Sequence, residues 1–164
     1  ALSMDAVPIL ADLVGGVPVR IDTDMTAVDP RLIEGETVTL EGELALSYVR
    51  ARQIVSDGTN QSRMARQERF LRSAWEAWME KTASGDAVEL GTDALVSLGE
   101  RLRSDCTVQK LSRFLERTEQ CELTVLPAPA GEAKISDENI AEFYVDDDAL
   151  EQTVLKLFYR EEIS

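Results

Sequence analysis

Leu40-Glu41-Gly42-Glu43-Leu44-Ala45-Leu46-Ser47-Tyr48-Val49-Arg50-Ala51-Arg52 is the stretch from which the fold is read. Glu41 to Arg52 has helical periodicity, with Leu40, Leu44, Ala45, Tyr48 and Val49 directed inward. The preceding Thr37-Val38-Thr39-Leu40 reads as a short strand. So does Val17 to Ile21, with Val17, Val19 and Ile21 on one face. Further upstream, Ser3 to Val14 carries Met4, Val7, Leu10, Leu13 and Val14 near helical spacing, with Ser3 as N-cap and Gly15-Gly16 as the stop. Between the two strands, Asp22 to Glu36 is polar and turn-rich.

Downstream, Ile54 to Asn60 is a loop, and Ser62 to about Lys81 is the strongest helix signal in the chain. Met64, Gln67, Leu71, Ala74, Trp75 and Trp78 form its inward stripe, widened by Phe70 and Met79, and Ser84-Gly85-Asp86 ends it. Further helices are expected over Thr92 to Leu102, Thr107 to Thr118 and Asp147 to Tyr159. A strand is expected over Cys121 to Leu126, a loop over Pro127 to Gly131, and a short edge strand at Phe143-Tyr144-Val145. Asp146-Asp147-Asp148 is read as the cap of the last helix rather than as a cation site.

Composition narrows the chemistry. The 164 residues suffice for a domain with its own core, and no stretch approaches 18 apolar residues. No signal peptide is visible; the opening Ala1-Leu2-Ser3-Met4-Asp5 reads as the interior of a longer gene product. There is no histidine, which removes Ser-His-Asp triads, Cys-His pairs and the usual zinc enzymes. Cys106 and Cys121 are too few for a zinc site, and their compartment decides whether they pair. With 31 acidic and 17 basic residues the net charge is -14, which repels nucleic acid at long range.

The basic residues are nevertheless clustered. Arg50, Arg52, Arg63, Arg66, Arg69 and Arg72 place six of the 17 within a window of 23 residues. Arginine is the side chain best shaped for bidentate phosphate contacts. Arg50 and Arg52 do not share a helical face unless the helix unwinds there; otherwise they are solvated cations near a helix C-terminus. Arg63 and Arg66 in a first helical turn run against the helix dipole, which makes sense beside a bound anion; Glu68 could instead make the cluster structural. Asp57, in a glycine-containing loop, is read as turn chemistry before base or metal ligand. Trp75 and Trp78 are read as core.

Read together, Leu13-Val14-Gly15-Gly16-Val17, Leu40-Glu41-Gly42 with Ala45-Leu46, Tyr48-Val49-Arg50-Ala51-Arg52 and Arg63-Met64-Ala65-Arg66-Gln67 resemble the LytR-CpsA-Psr (LCP) family, most tightly over residues 13–72. The resemblance implies an α/β fold, a mixed β-sheet flanked by helices on both sides, with the N-terminal part of the domain missing from this chain. Residues 1–164 would be one partial domain, the motifs lying in 1–82 and helices and short strands in 83–164. It implies a phosphotransferase that attaches a polyisoprenyl-(pyro)phosphate-linked glycopolymer, of teichoic acid or capsule type, to peptidoglycan with Mg2+. The site residues carried over are Arg50, Arg52, Arg63 and Gln67 as catalytic, the same four with Arg66 as phosphate-binding, and Phe70, Leu71 and Trp75 as a lipid groove. The implied location is the extracytoplasmic face of the bacterial cell membrane, with a membrane anchor outside this chain.

Two departures from the family pattern stand out. Asn60 takes the place where many members carry an acidic residue. The metal-binding aspartates and another phosphate-binding arginine would lie upstream of Ala1, so this chain supplies no metal ligand and is expected to be inactive alone. Missing central strands would leave edges open to pairing with a second copy. Two other readings compete: a module that only grips polyprenyl phosphate or glycopolymer, and a cell-envelope-related transcriptional attenuator. The net charge and the lack of a basic helix-turn-helix argue against the latter.

Overall fold

The computed structural model describes residues 2–52, 60–85, 87–105, 121–126, 128–137 and 140–159, together with 107, 110, 114 and 117. The chain divides into two compact units, Ala1–Leu123 and Thr124–Ser164.

In the first unit a 3-10 turn at Met4–Ala6, capped by Ser3, leads into helix α1 (Val7–Leu13). Gly15 and Gly16, at φ 83° and 95°, turn the chain into strand β1 (Val17–Arg20). An alanine Cβ at Gly16 would lie 2.3 Å from Thr39 Cγ2, so only glycine fits this approach. β1 pairs antiparallel with β2 (Thr37–Leu40), Val17 opposite Leu40 and Val19 opposite Val38. The polar segment between them dips inward. Met25 and Leu32 are fully buried, and the Met25 N–H donates to Leu32 O at 3.1 Å. On its rim Arg31 grips Asp29 through two nitrogens at 2.8 Å, and this hydrogen-bonded pair holds the Asp29 carboxyl down at about 2.

Helix α2 (Gly42–Arg50) follows β2. Its first free N–H, on Gly42, donates to Asp12 Oδ1 of α1 at 2.7 Å, while Glu41 makes no side-chain cap. Helix α3 (Asn60–Ser84) packs on β1 and α2, and its Lys81 ammonium donates to Leu13 O at the end of α1. Ala11, Val17, Val19, Ile21, Leu40, Leu44, Tyr48 and Phe70 belong to one continuous core. Helix α4 (Ala87–Leu98) ends in a 3-10 turn at Gly99–Arg101. In the second unit β3 (Gly131–Ile135) pairs antiparallel with β4 (Ala141–Val145), and α5 (Asp147–Phe158) follows. The Ala149 N–H donates to Asp146 Oδ1 at 2.8 Å, so the aspartate run caps this helix as its sequence suggested. Helices thus combine with small antiparallel sheets, and among the described residues each sheet has two strands.

Several expectations need correction. Cys121 to Leu126 has no regular structure, because the strand that pairs with β4 is β3, whose Glu132-Ala133-Lys134 lacks β-forming side chains. α4 begins at Ala87 rather than Thr92; the Thr92 hydroxyl donates back to Val88 O at 2.7 Å from within the helix instead of capping it. The inward stripe of α3 is rotated by about one residue. Met64 and Leu71 are exposed, whereas Arg66, Phe70 and Thr82 are buried and Ala74 packs on the core. These positions are spaced by multiples of four, so the stripe is regular, but its first member is a cation that hydropathy assigns outward. Asp57 with its loop, and Cys106, lie outside the described residues, as does most of Thr107 to Thr118. Cys121 carries a free thiol, which donates to Arg117 O.

Candidate anion site at the junction of α2 and α3

The last turn of α2 unwinds at its arginines. Arg50 is the final helical residue, and Ala51 takes φ -52°, ψ 134°, outside helical geometry. A continuous helix would set Arg50 and Arg52 on opposed faces; here the helix ends between them. Both are exposed, and neither makes an ion pair among the described residues.

The start of α3 lies against this exit. Gln67 Nε2 donates to Val49 O at 3.2 Å, and the Arg66 guanidinium donates to Ala51 O. Helix α2 thus has its C-terminal carbonyls satisfied from another helix rather than by a glycine turn. Arg63, one turn before Gln67, donates to Asn60 Oδ1 and keeps a buried Nε–H without an acceptor. Arg66 is 3% exposed, and its Nε–H also lacks an acceptor. Burial holds the Arg66 guanidinium below its usual range, and the nearby positive charge of Arg63 adds to the effect.

The other two arginines of the cluster are occupied differently. Arg69 donates to Asp22 Oδ2 at 2.7 Å and to the Tyr48 hydroxyl at 3.3 Å. Burial opposes the charge on Arg69, but these partners hold its pKa above the ordinary value. Tyr48 is fully buried, and that burial raises its phenol. Arg72 pairs with Glu68 at 2.9 Å. Among the described residues the six arginines therefore divide into two matched by carboxylates, Arg69 and Arg72, and four that are not: Arg50, Arg52, Arg63 and Arg66. Periodicity gave no sign of the Asp22–Arg69–Tyr48 contact, because it joins residues 47 and 21 positions apart.

The three groove candidates do not share one surface. Phe70 lies in the core at 9% exposure, Leu71 faces outward and Trp75 is half-buried. Among the described residues no three acidic or cysteine side chains come together as a metal would require, so these residues do not fit a metal centre. No helix among them is long and apolar enough to cross a membrane.

Comparison with known proteins bears on the fold and the family. Lin1025 of Listeria innocua has a TM-score of 0.66 and 23% identity over 94% of this chain and 65% of its own. EF0465 of Enterococcus faecalis, described as a transcriptional regulator, has a TM-score of 0.72 and 18% identity over 94% and 56%. TagV of B. subtilis has a TM-score of 0.66 and 18% identity over 94% and 61%. These likenesses establish the fold, and the chain spans less than two thirds of each of these structures. No protein of curated function matches the sequence significantly. The LytR_cpsA_psr family model, however, matches residues 1–157, through the arginine junction and on into α5, and the chain belongs to that family.

Proposed function

We propose that the α2–α3 junction holds the phosphates of a polyisoprenyl-linked glycopolymer, and that the whole protein transfers this polymer to peptidoglycan. The observation that carries the reading is that, among the described residues, Arg50, Arg52 and Arg63 have no carboxylate partner beside Arg69 and Arg72, which do. Uncompensated cations gathered at one junction call for an anionic ligand. Membership of the LytR_cpsA_psr family supports a cell-wall glycopolymer as the substrate class.

In this reading Arg50 and Arg52, which are exposed, grip the phosphate oxygens. Arg63, which is half-buried, adds its guanidinium charge at the start of α3, where helix N–H groups also favour an anion. In the transfer, a hydroxyl oxygen of the acceptor sugar bonds to the phosphorus that carries the polymer. The bridging P–O bond of the pyrophosphate breaks, the lipid leaves as a monophosphate, and the hydroxyl proton passes to solvent. The arginines stabilise charge that builds on the phosphoryl oxygens. Magnesium belongs to the proposed reaction, with ligands that the described residues do not supply.

A calorimetric titration of a short-chain polyprenyl pyrophosphate into this chain and into Arg50→Ala tests the site. Binding should weaken by about 1.5–3 kcal/mol in the variant. Equal affinity in both proteins rejects the assignment. In the whole protein, Arg50→Ala should lower the transfer rate at saturation; binding that depends on Arg50 in a whole protein that transfers no polymer would favour a binding module over a transferase.

A further inference from the structure

Arg66 differs from the other unmatched arginines in what can reach it. A lipid head group arrives from solvent, where Arg50 and Arg52 are exposed, but Arg66 is 3% exposed and lies on the same stripe as Phe70 and Ala74. An apolar residue would pack such a position without the cost of burying a cation. What an apolar residue would lack is a donor for Ala51 O, which Arg66 supplies.

That carbonyl belongs to the peptide joining Ala51 to Arg52. Val49 O, held by Gln67, belongs to the peptide joining Val49 to Arg50. Each exposed arginine is therefore preceded by a peptide pinned from α3. Ala51 has left helical geometry, and a helical ladder no longer fixes the direction of its carbonyl.

We infer that Arg66 is a positioning residue: it aims Arg52 at the ligand by holding the Ala51–Arg52 peptide, and it does not itself touch phosphate. This rests on the phosphate-site reading above. A residue acting only through Arg52 loses its influence when Arg52 is removed, whereas one that touches phosphate contributes independently.

The test is a double-mutant cycle, read by titrating farnesyl pyrophosphate into the unaltered chain, Arg52→Ala, Arg66→Met and the double variant, with thermal melts confirming that each folds. Arg66→Met should weaken binding about tenfold alone and less than about threefold in the Arg52→Ala background. Equal losses in both backgrounds, or no loss in either, overturn the positioning role while the phosphate site stands. Failure of the unaltered chain to bind overturns the phosphate site and the positioning role together. Where Arg66→Met shows no cooperative melt, Arg66→Glu, which keeps a polar side chain but places acceptors rather than a donor opposite Ala51 O, takes its place in the cycle: a loss that shrinks in the Arg52→Ala background supports positioning, and equal losses or none overturn it.

Discussion

Gly16 stands at φ 95° with the Thr39 methyl 2.3 Å from where a β-carbon would sit. Both facts act against any side chain, the first through backbone strain and the second through the pairing of β1 with β2. Gly16→Ala should lower unfolding free energy by about 1–3 kcal/mol in urea titration. A change within about 0.5 kcal/mol would mean that the strands slide apart freely. Gly15-Gly16 was legible as a stop because paired glycines punctuate helices. Arg66 was not legible as a buried residue. Hydropathy scores its charge, not its neighbours, and nothing in the local sequence says that Ala51 O needs a donor. The rotated stripe of α3 follows from that one blind spot. Arg50 and Arg52 were legible as a pair conditionally, since their geometry hinged on unwinding at Ala51, a feature of backbone dihedrals rather than residue type.

At the scale of the element, α2 shows how helices in this chain borrow their ends. Its N-terminal N–H is met by Asp12 from α1, and its C-terminal carbonyls by Gln67 and Arg66 from α3. Asp12→Ala should cost about 1 kcal/mol of stability, as loss of a local cap does, although Asp12 lies 30 residues away in sequence. Denaturant melts of Asp12→Ala and Asp12→Asn check this; the asparagine, which keeps an acceptor oxygen, should lose less, and equal losses would refute a capping role. Elements whose signals are local were found from sequence: β1 through its alternating valines, and α5 through Asp146, whose cap contact is three residues away. Elements fixed from a distance were placed poorly. β3 pairs with β4 although its own residues carry little strand signal, and α4 begins at Ala87, five residues before Thr92, whose hydroxyl donates back to Val88 O.

Across the whole molecule the dominant fact is a net charge of -14, with six of the 17 basic residues gathered in a window of 23. Like charges spread over the surface repel one another in the folded state, and salt screens them within about 10 Å at 0.1 M. Raising NaCl from about 20 to about 200 mM should therefore raise the melting temperature by about a few degrees. A falling melting temperature would show that attractive pairs such as Arg69 with Asp22 outweigh the repulsion. The borrowed ends of α2 also bear on when the site comes into being. A nine-residue helix is too short to persist alone in water, so α2 takes shape only as α1 and α3 close on it. The arginines at its exit have no fixed arrangement in a partly folded chain. An anion that binds this junction as proposed would bind only the closed arrangement, and by mass action its binding energy would count toward the stability of the whole unit rather than of the few residues it touches.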